Sequence, residues 1–166
     1  MPNSARWRRL IGEERGATLV EFGIASCVLL AVIFGVMDFA RALYAYHFVA
    51  YAAQEGARYA MVRGGDWSNA CASATAYDCE ASSANITTYV KSLAPMGVSS
   101  SGMTVTPSWP QTNANGVSTG CNTASTQNNK GCMVKVKVVY AFHFVMPFLP
   151  TPAVNMAATS EQVIAY

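Results

Sequence analysis

Residues Ala17 to Met37 read ATLVEFGIASCVLLAVIFGVM, an apolar run whose only charged side chain is Glu21. Coiled as a helix, these residues measure about 31 Å, which matches the hydrocarbon thickness of a bilayer. Ahead of the run lie Arg6, Arg8, Arg9 and Arg15, offset by Glu13 and Glu14. Positive flanks stay on the cytoplasmic side, so the remainder of the chain is expected outside. A secretory signal peptide has an apolar core of about 7 to 15 residues and an A-x-A-like cleavage site. This run is longer, so the helix is expected to be retained as an anchor.

Beyond Met37 the helical pattern continues through DFARALYAYHFVAYAAQEGARYAMV, Asp38 to Val62, with no proline and no glycine before Gly56. Alanine, the best helix former, is frequent there. At 3.6-residue spacing His47, Tyr51, Gln54, Glu55 and Arg58 share a face suited to water, while Tyr46, Ala50, Ala53, Ala57 and Ala60 share a face suited to packing. Asp38 with Arg41 and Glu55 with Arg58 are three residues apart, a spacing at which opposite charges meet on a helix surface. Gly64 and Gly65 are expected to end the helix.

The pattern then changes period. From Val134 to Phe144 the apolar residues Val134, Val136, Val138, Tyr140, Phe142 and Phe144 alternate with Lys135, Lys137 and His143. That alternation predicts a half-buried strand. Weaker strands are predicted at Met103 to Thr106 and from Val154 to Tyr166, with a short helix over Ser82 to Leu93. The tract from Thr112 to Lys130 is almost wholly small and polar, too poor in apolar area to fold by itself. The expected fold class is α+β: a long N-terminal helix, membrane-spanning in its first half and amphipathic in its second, packed on a small antiparallel sheet. Four segments follow: a basic leader (1–16), the span (17–37), the amphipathic extension (38–62) and an extracytoplasmic head (63–166).

Cys71, Cys79, Cys121 and Cys132 all follow the span, whereas Cys27 lies inside it. Four cysteines in an oxidising compartment read as two disulfides with three possible connectivities. Cys71 with Cys79 and Cys121 with Cys132 is the favoured pairing because each closes a short polar loop, an effect of about 2.5 to 3 kcal/mol per bridge in the chain-entropy model. Zinc is the competing use of such residues. The spacings C-x7-C and C-x10-C are not those of structural zinc knuckles, and neither histidine lies near a pair, so no metal or other cofactor is expected.

Composition excludes other classes. Charged residues make up 12% of the chain, against roughly 25% in soluble domains, and the formal net charge is +2 with no basic stripe, so nucleic acid is not an expected partner. No G-x-S-x-G or H-E-x-x-H occurs, and His47 and His143 stand far apart in sequence, so catalysis is not expected.

Gly16-Ala17-Thr18-Leu19-Val20-Glu21-Phe22, at the boundary between the arginine-rich leader and the span, resembles the prepilin-peptidase site of type IV pilin-like proteins of the tight-adherence (Flp) class. The resemblance implies cleavage after Gly16, with Ala17 as the new N-terminus and Glu21 as the fifth residue of the mature chain. Many pilins carry a large apolar residue where this chain has Ala17. Gly35-Val36-Met37-Asp38-Phe39-Ala40-Arg41 and Ala53-Gln54-Glu55-Gly56-Ala57-Arg58-Tyr59-Ala60 look like the two signature regions of the TadE-like pseudopilins. The likeness extends from about Glu14 to Arg63. It implies a minor pilin-like subunit held in the bacterial inner membrane with its head in the periplasm. The implied partners are other pilin-like subunits, an inner-membrane assembly platform, a prepilin peptidase and membrane lipid. The alternative is an uncleaved, single-pass scaffold of a secretion apparatus.

Two features give that picture a physical basis. A carboxylate in a membrane helix costs about 2.5 to 3.5 kcal/mol unless paired, and an amine exposed at Ala17, one turn away or on a neighbouring subunit, would pair Glu21. Gly23, Cys27, Ala31 and Gly35 recur every four residues, a strip of small side chains along which helix backbones approach closely in lipid. Phe144 to Pro152, FVMPFLPTP, is the expected partner-facing apolar loop.

Overall fold

The computed structural model describes residues 14–67, 80–110, 121, 127–145 and 153–165. Elements follow in the order α1 (Glu14–Val62), α2 (Ser83–Ser92), β1 (Met103–Ser108), β2 (Met133–Phe142) and β3 (Val154–Val163), with a short 3-10 turn at Ser100–Gly102. Helix α1 runs unbroken for 49 residues, about 74 Å at the α-helical rise. The chain divides into two compact units, one of Met1–Arg41 with Val145–Leu149 and one of Ala42–Phe144 with Pro150–Tyr166.

The second unit is the α+β head. Its sheet has the order β1-β2-β3, antiparallel throughout, with β2 in the centre. Directly opposed residues share a face. Val136 faces Pro107 and Ser160, Val138 faces Val105 and Ala158, and Tyr140 faces Met103 and Met156. Along β2 the alternating Val134, Val136, Val138, Tyr140 and Phe142 are buried, as the period of two requires. Strand β1 continues through Pro107, beyond the end expected at Thr106. It has one neighbour only, and an edge strand tolerates a residue without an N–H. The outer face is polar, and there Lys135 and Glu161, paired across β2 and β3, approach to 2.7 Å.

Helix α1 covers the sheet's apolar face with a stripe of Ala45, Val49, Ala52, Ala53, Gly56, Ala57 and Ala60, joined by Phe48 and Tyr59. Ala53, Ala57 and Ala60 lie in the stripe as expected, and the other two residues of the expected packing face do not. Tyr46 is 57% exposed and Ala50 is half-buried, because alanine occurs on every side of this segment and the bulky Phe48 and Val49 decide which side turns inward. Small side chains bring the helix axis close to its neighbours. At Gly56 a Cβ would stand 2.6 Å from Val90 Cγ2 and 3.1 Å from Val136 Cγ1.

Helix α2 starts at Ser82, whose hydroxyl accepts the Asn85 N–H at 3.1 Å, an N-cap that satisfies one of the orphan donors of the first turn. It buries Ile86 and Val90, four residues apart, and stacks Tyr89 on Tyr59 with ring centroids 4.5 Å apart.

The C-terminal end of α1 is tied by distant segments. Met61 C=O accepts from Ala165 N–H at 2.9 Å, and Arg63 C=O from Ala81 N–H at 2.8 Å, so carbonyls that a helix end leaves without intrahelical partners are bonded. Asn128 adds to this knot, donating to Glu80 Oε1 and Ala81 O while its main-chain carbonyl accepts from Gly65 N–H. The turn ends at Gly131, whose φ of 86° suits glycine, and leads into Cys132 and β2. Cys132 is bonded to Cys121 with a Cα–Cα distance of 5.8 Å, and both are buried in the core. Cys71 and Cys79 lie outside the described residues.

Candidate assembly surface on the N-terminal helix

A helix can bury its apolar side chains against its own chain, against a partner, or in lipid. The first option is not used over Gly16 to Val36 of α1. Leu19, Phe22, Ile24, Leu29, Phe34 and Val36 are all more than half exposed, and the most apolar window of the helix has no residue buried within the chain. Exposure on this scale exceeds what a soluble monomer carries. By length and composition the helix is able to cross a membrane, which is compatible with a single-pass anchor.

The residues singled out from the sequence are distributed along this surface. Gly16, Ala17, Glu21 and Phe22 stand exposed in one stretch of helix, with Phe22 at 74%. Glu21 is therefore a carboxylate on an otherwise apolar cylinder. Gly23, Cys27 and Ala31 are exposed and Gly35 is half-buried; all four are helical and lie on the recurring four-residue strip. A Cβ at Gly16 or Gly23 would meet nothing within 4 Å. Cys27 is a free, exposed thiol.

At the end of the apolar run the structure brings together groups that sequence spacing only half foretold. Asp38 Oδ1 accepts from Arg41 at 2.8 Å, the i, i+3 pair expected on a helix surface. Asp38, however, is buried at 5% exposure, and its Oδ2 accepts the main-chain N–H of Val145 at 2.9 Å across 107 residues of sequence. A buried carboxylate is tolerable when its oxygens are bonded, and hydrogen bonds to an ionised group are the strong ones. The one hint in the sequence is an acid placed directly after an uncharged run; its distant partner has no sequence signature. Glu55 and Arg58 approach to 3.5 Å with side chains 23% and 69% exposed, a solvated pair of small energetic weight.

The head contributes one concavity next to its helix, a groove of about 320 Å³ lined by Tyr44, His47, Phe48, Tyr51, Leu93 and Pro95. His47 and Tyr51 are exposed, as the water-facing side expected from the sequence requires, and Leu93 and Pro95 just beyond α2 form the far side of the groove. Among the described residues no group of three or more His, Cys, Asp or Glu side chains converges as a metal site would require. Most of the loop expected to face a partner, from Met146 to Pro152, lies outside the described residues.

A sequence model of the family described as TadE-like protein matches residues 16–58, which begins at Gly16 and runs through most of α1. The chain is thus similar to that family over the helix that carries its exposed apolar surface. No curated protein and no solved structure matches it.

Proposed function

We propose that this TadE-like chain is a minor pilin-like subunit of a tight-adherence (Flp) pilus assembly system. It is anchored by α1 in the inner membrane with its head in the periplasm, and it acts through helix and head contacts with other subunits and a membrane platform. The observation that carries the reading is the apolar helix from Gly16 onward, which the chain's own fold leaves uncovered and which coincides with the family match. The leader ending at Gly16 is the substrate of a prepilin peptidase, and the amine freed at Ala17 pairs with Glu21. Pairing removes the cost of about 2.5 to 3.5 kcal/mol that a lone carboxylate carries in lipid. When the amine belongs to a neighbouring subunit, the same pair sets the register between helices. The strip of Gly23, Cys27, Ala31 and Gly35 then lets the helices approach.

Intact-mass measurement of the chain extracted from native membranes tests this. The wild-type protein is expected to lack residues 1–16, and Gly16→Leu to retain them. Glu21→Ala is expected to insert normally and to lose co-purification with partner pilin-like subunits. A full-length wild-type mass refutes processing and favours an uncleaved membrane scaffold. Undiminished co-purification of Glu21→Ala refutes the pairing.

A further inference from the structure

The two edges of the head's sheet are built differently. Strand β1 is six residues long and carries Pro107, which stands opposite Val136. Strand β3 is ten residues long, VNMAATSEQV, with neither proline nor lysine. Shortness, proline and lysine are devices that keep an edge from pairing with another strand. Strand β1 has two of them and β3 has none.

Hydrogen bonds just past the end of β3 fix which of its main-chain groups face outward. Ile164 N–H donates to Cys132 C=O at 2.8 Å and its C=O accepts from Gly131 N–H at 2.9 Å, on the β2 side, whereas Ala165 N–H turns the other way to Met61 C=O. Main-chain groups alternate sides along a strand. The even-numbered residues of β3 therefore bond to β2, and Asn155, Ala157, Thr159, Glu161 and Val163 direct theirs to the open edge. Among the described residues no strand lies on that side. Each of these residues offers one donor and one acceptor there, and a row of both at strand spacing selects an extended chain as its occupant.

The edge is complementary to itself. When two copies of β3 run antiparallel about a two-fold axis at Ala158, Asn155 of each stands opposite Glu161 of the other, Ala157 opposite Thr159, and Met156 opposite Ser160. The Asn155 amide then donates to a carboxylate, twice by symmetry. Glu161 is the one charged residue of β3, so no like charges oppose each other, and Lys135 approaches it to 2.7 Å on the same outer face.

We propose that β3 is a docking edge at which a second copy of this chain adds its own β3, antiparallel and centred on Ala158, so that the two sheets become continuous. The contact is read from the head alone and is independent of how α1 is processed or packed.

The test uses the full chain in detergent micelles with Cys27→Ser as the parent. Thr159→Cys places a thiol on the outer face, as a diagonal neighbour of its counterpart at roughly 7 to 8 Å. A short bis-maleimide is expected to give a covalent dimer well above the parent and above Thr104→Cys, the control on β1. In the Thr159→Cys chain, Asn155→Asp sets a second carboxylate against Glu161 of the other copy and is expected to raise the concentration for half-maximal cross-linking about tenfold. Asn155→Lys, which sets an opposite charge there, is expected to keep or lower it. Within its own chain Asn155 stands opposite Ala141, so the denaturation midpoint of the head is expected to be the same in both variants. No Thr159→Cys dimer above the parent overturns the proposal, whether the edge stays bare or takes another protein's strand, and leaves assembly through α1 standing. Equal cross-linking at 159 and 104 overturns it as well. Cross-linking indifferent to Asn155→Asp overturns the register centred on Ala158.

Discussion

Gly56→Ala would ordinarily be a stabilising change, since alanine is favoured over glycine in a helix interior by about 0.8 to 1 kcal/mol. Here close packing offsets that gain. The added methyl would stand 2.6 Å from Val90 Cγ2 and 3.1 Å from Val136 Cγ1, whereas carbon atoms rest at about 3.5 to 4.0 Å. Val90 cannot swing aside. A β-branched side chain in a helix has one strongly preferred rotamer, and Val90, Val136 and Ile86 are all fully buried. Relief requires α1 and α2 to part by about 1 Å, and overpacking of this kind costs about 1 to 3 kcal/mol. After the propensity gain, the net loss is about 0 to 2 kcal/mol.

The double mutant isolates the cause. Val90→Ala removes the nearest methyl, so in that background Gly56→Ala is expected to be neutral or stabilising, giving a coupling energy of about 1 to 2 kcal/mol between residues in contact. Denaturant unfolding of the full chain in detergent micelles, followed by the fluorescence of its tryptophans, measures both. A Gly56→Ala protein about 1 kcal/mol more stable than wild type, or an effect unchanged by Val90→Ala, would show that α1 does not pack against α2 at this distance.

Two further outcomes follow from the head. Replacing both Cys121 and Cys132 with serine opens a bridge spanning 11 residues, and the loop-entropy relation sets the loss at about 2.8 kcal/mol, measurable as a lower denaturation midpoint that reductant reproduces in the wild-type protein. Lys135→Ala, despite the 2.7 Å approach to Glu161, is expected to change stability by less than about 1 kcal/mol, because both side chains are about two-fifths exposed and solvent screens the pair; a larger shift in the same unfolding assay would assign that pair a buried role.

How much of this was legible beforehand varies by element. Strand β2 and helix α2 were readable to within a residue or two because their periodicities are local and each has one apolar face. The inward face of α1 was legible in its later turns, at Ala53, Ala57 and Ala60, but not in its earlier ones, since Tyr46 and Ala50 satisfy helical spacing as well as Ala45 and Val49 do, and only the folded head selects between them. Gly56 stood in the sequence as the first glycine of the helical extension, and its use as a point of close approach depends on Val90 and Val136, far away in sequence.

From its amino acids alone this chain was determined to carry an N-terminal helix long and apolar enough to span a bilayer and a sheet-forming C-terminal half. Those properties are set by the order of neighbouring side chains and their affinity for water. The tertiary structure alone decided that Ala45 and Val49 enter the core in place of Tyr46 and Ala50, that Asp38 is buried, and that its carboxylate reaches Val145. Each of these depends on contacts between distant segments, and chain order does not encode a distance in space.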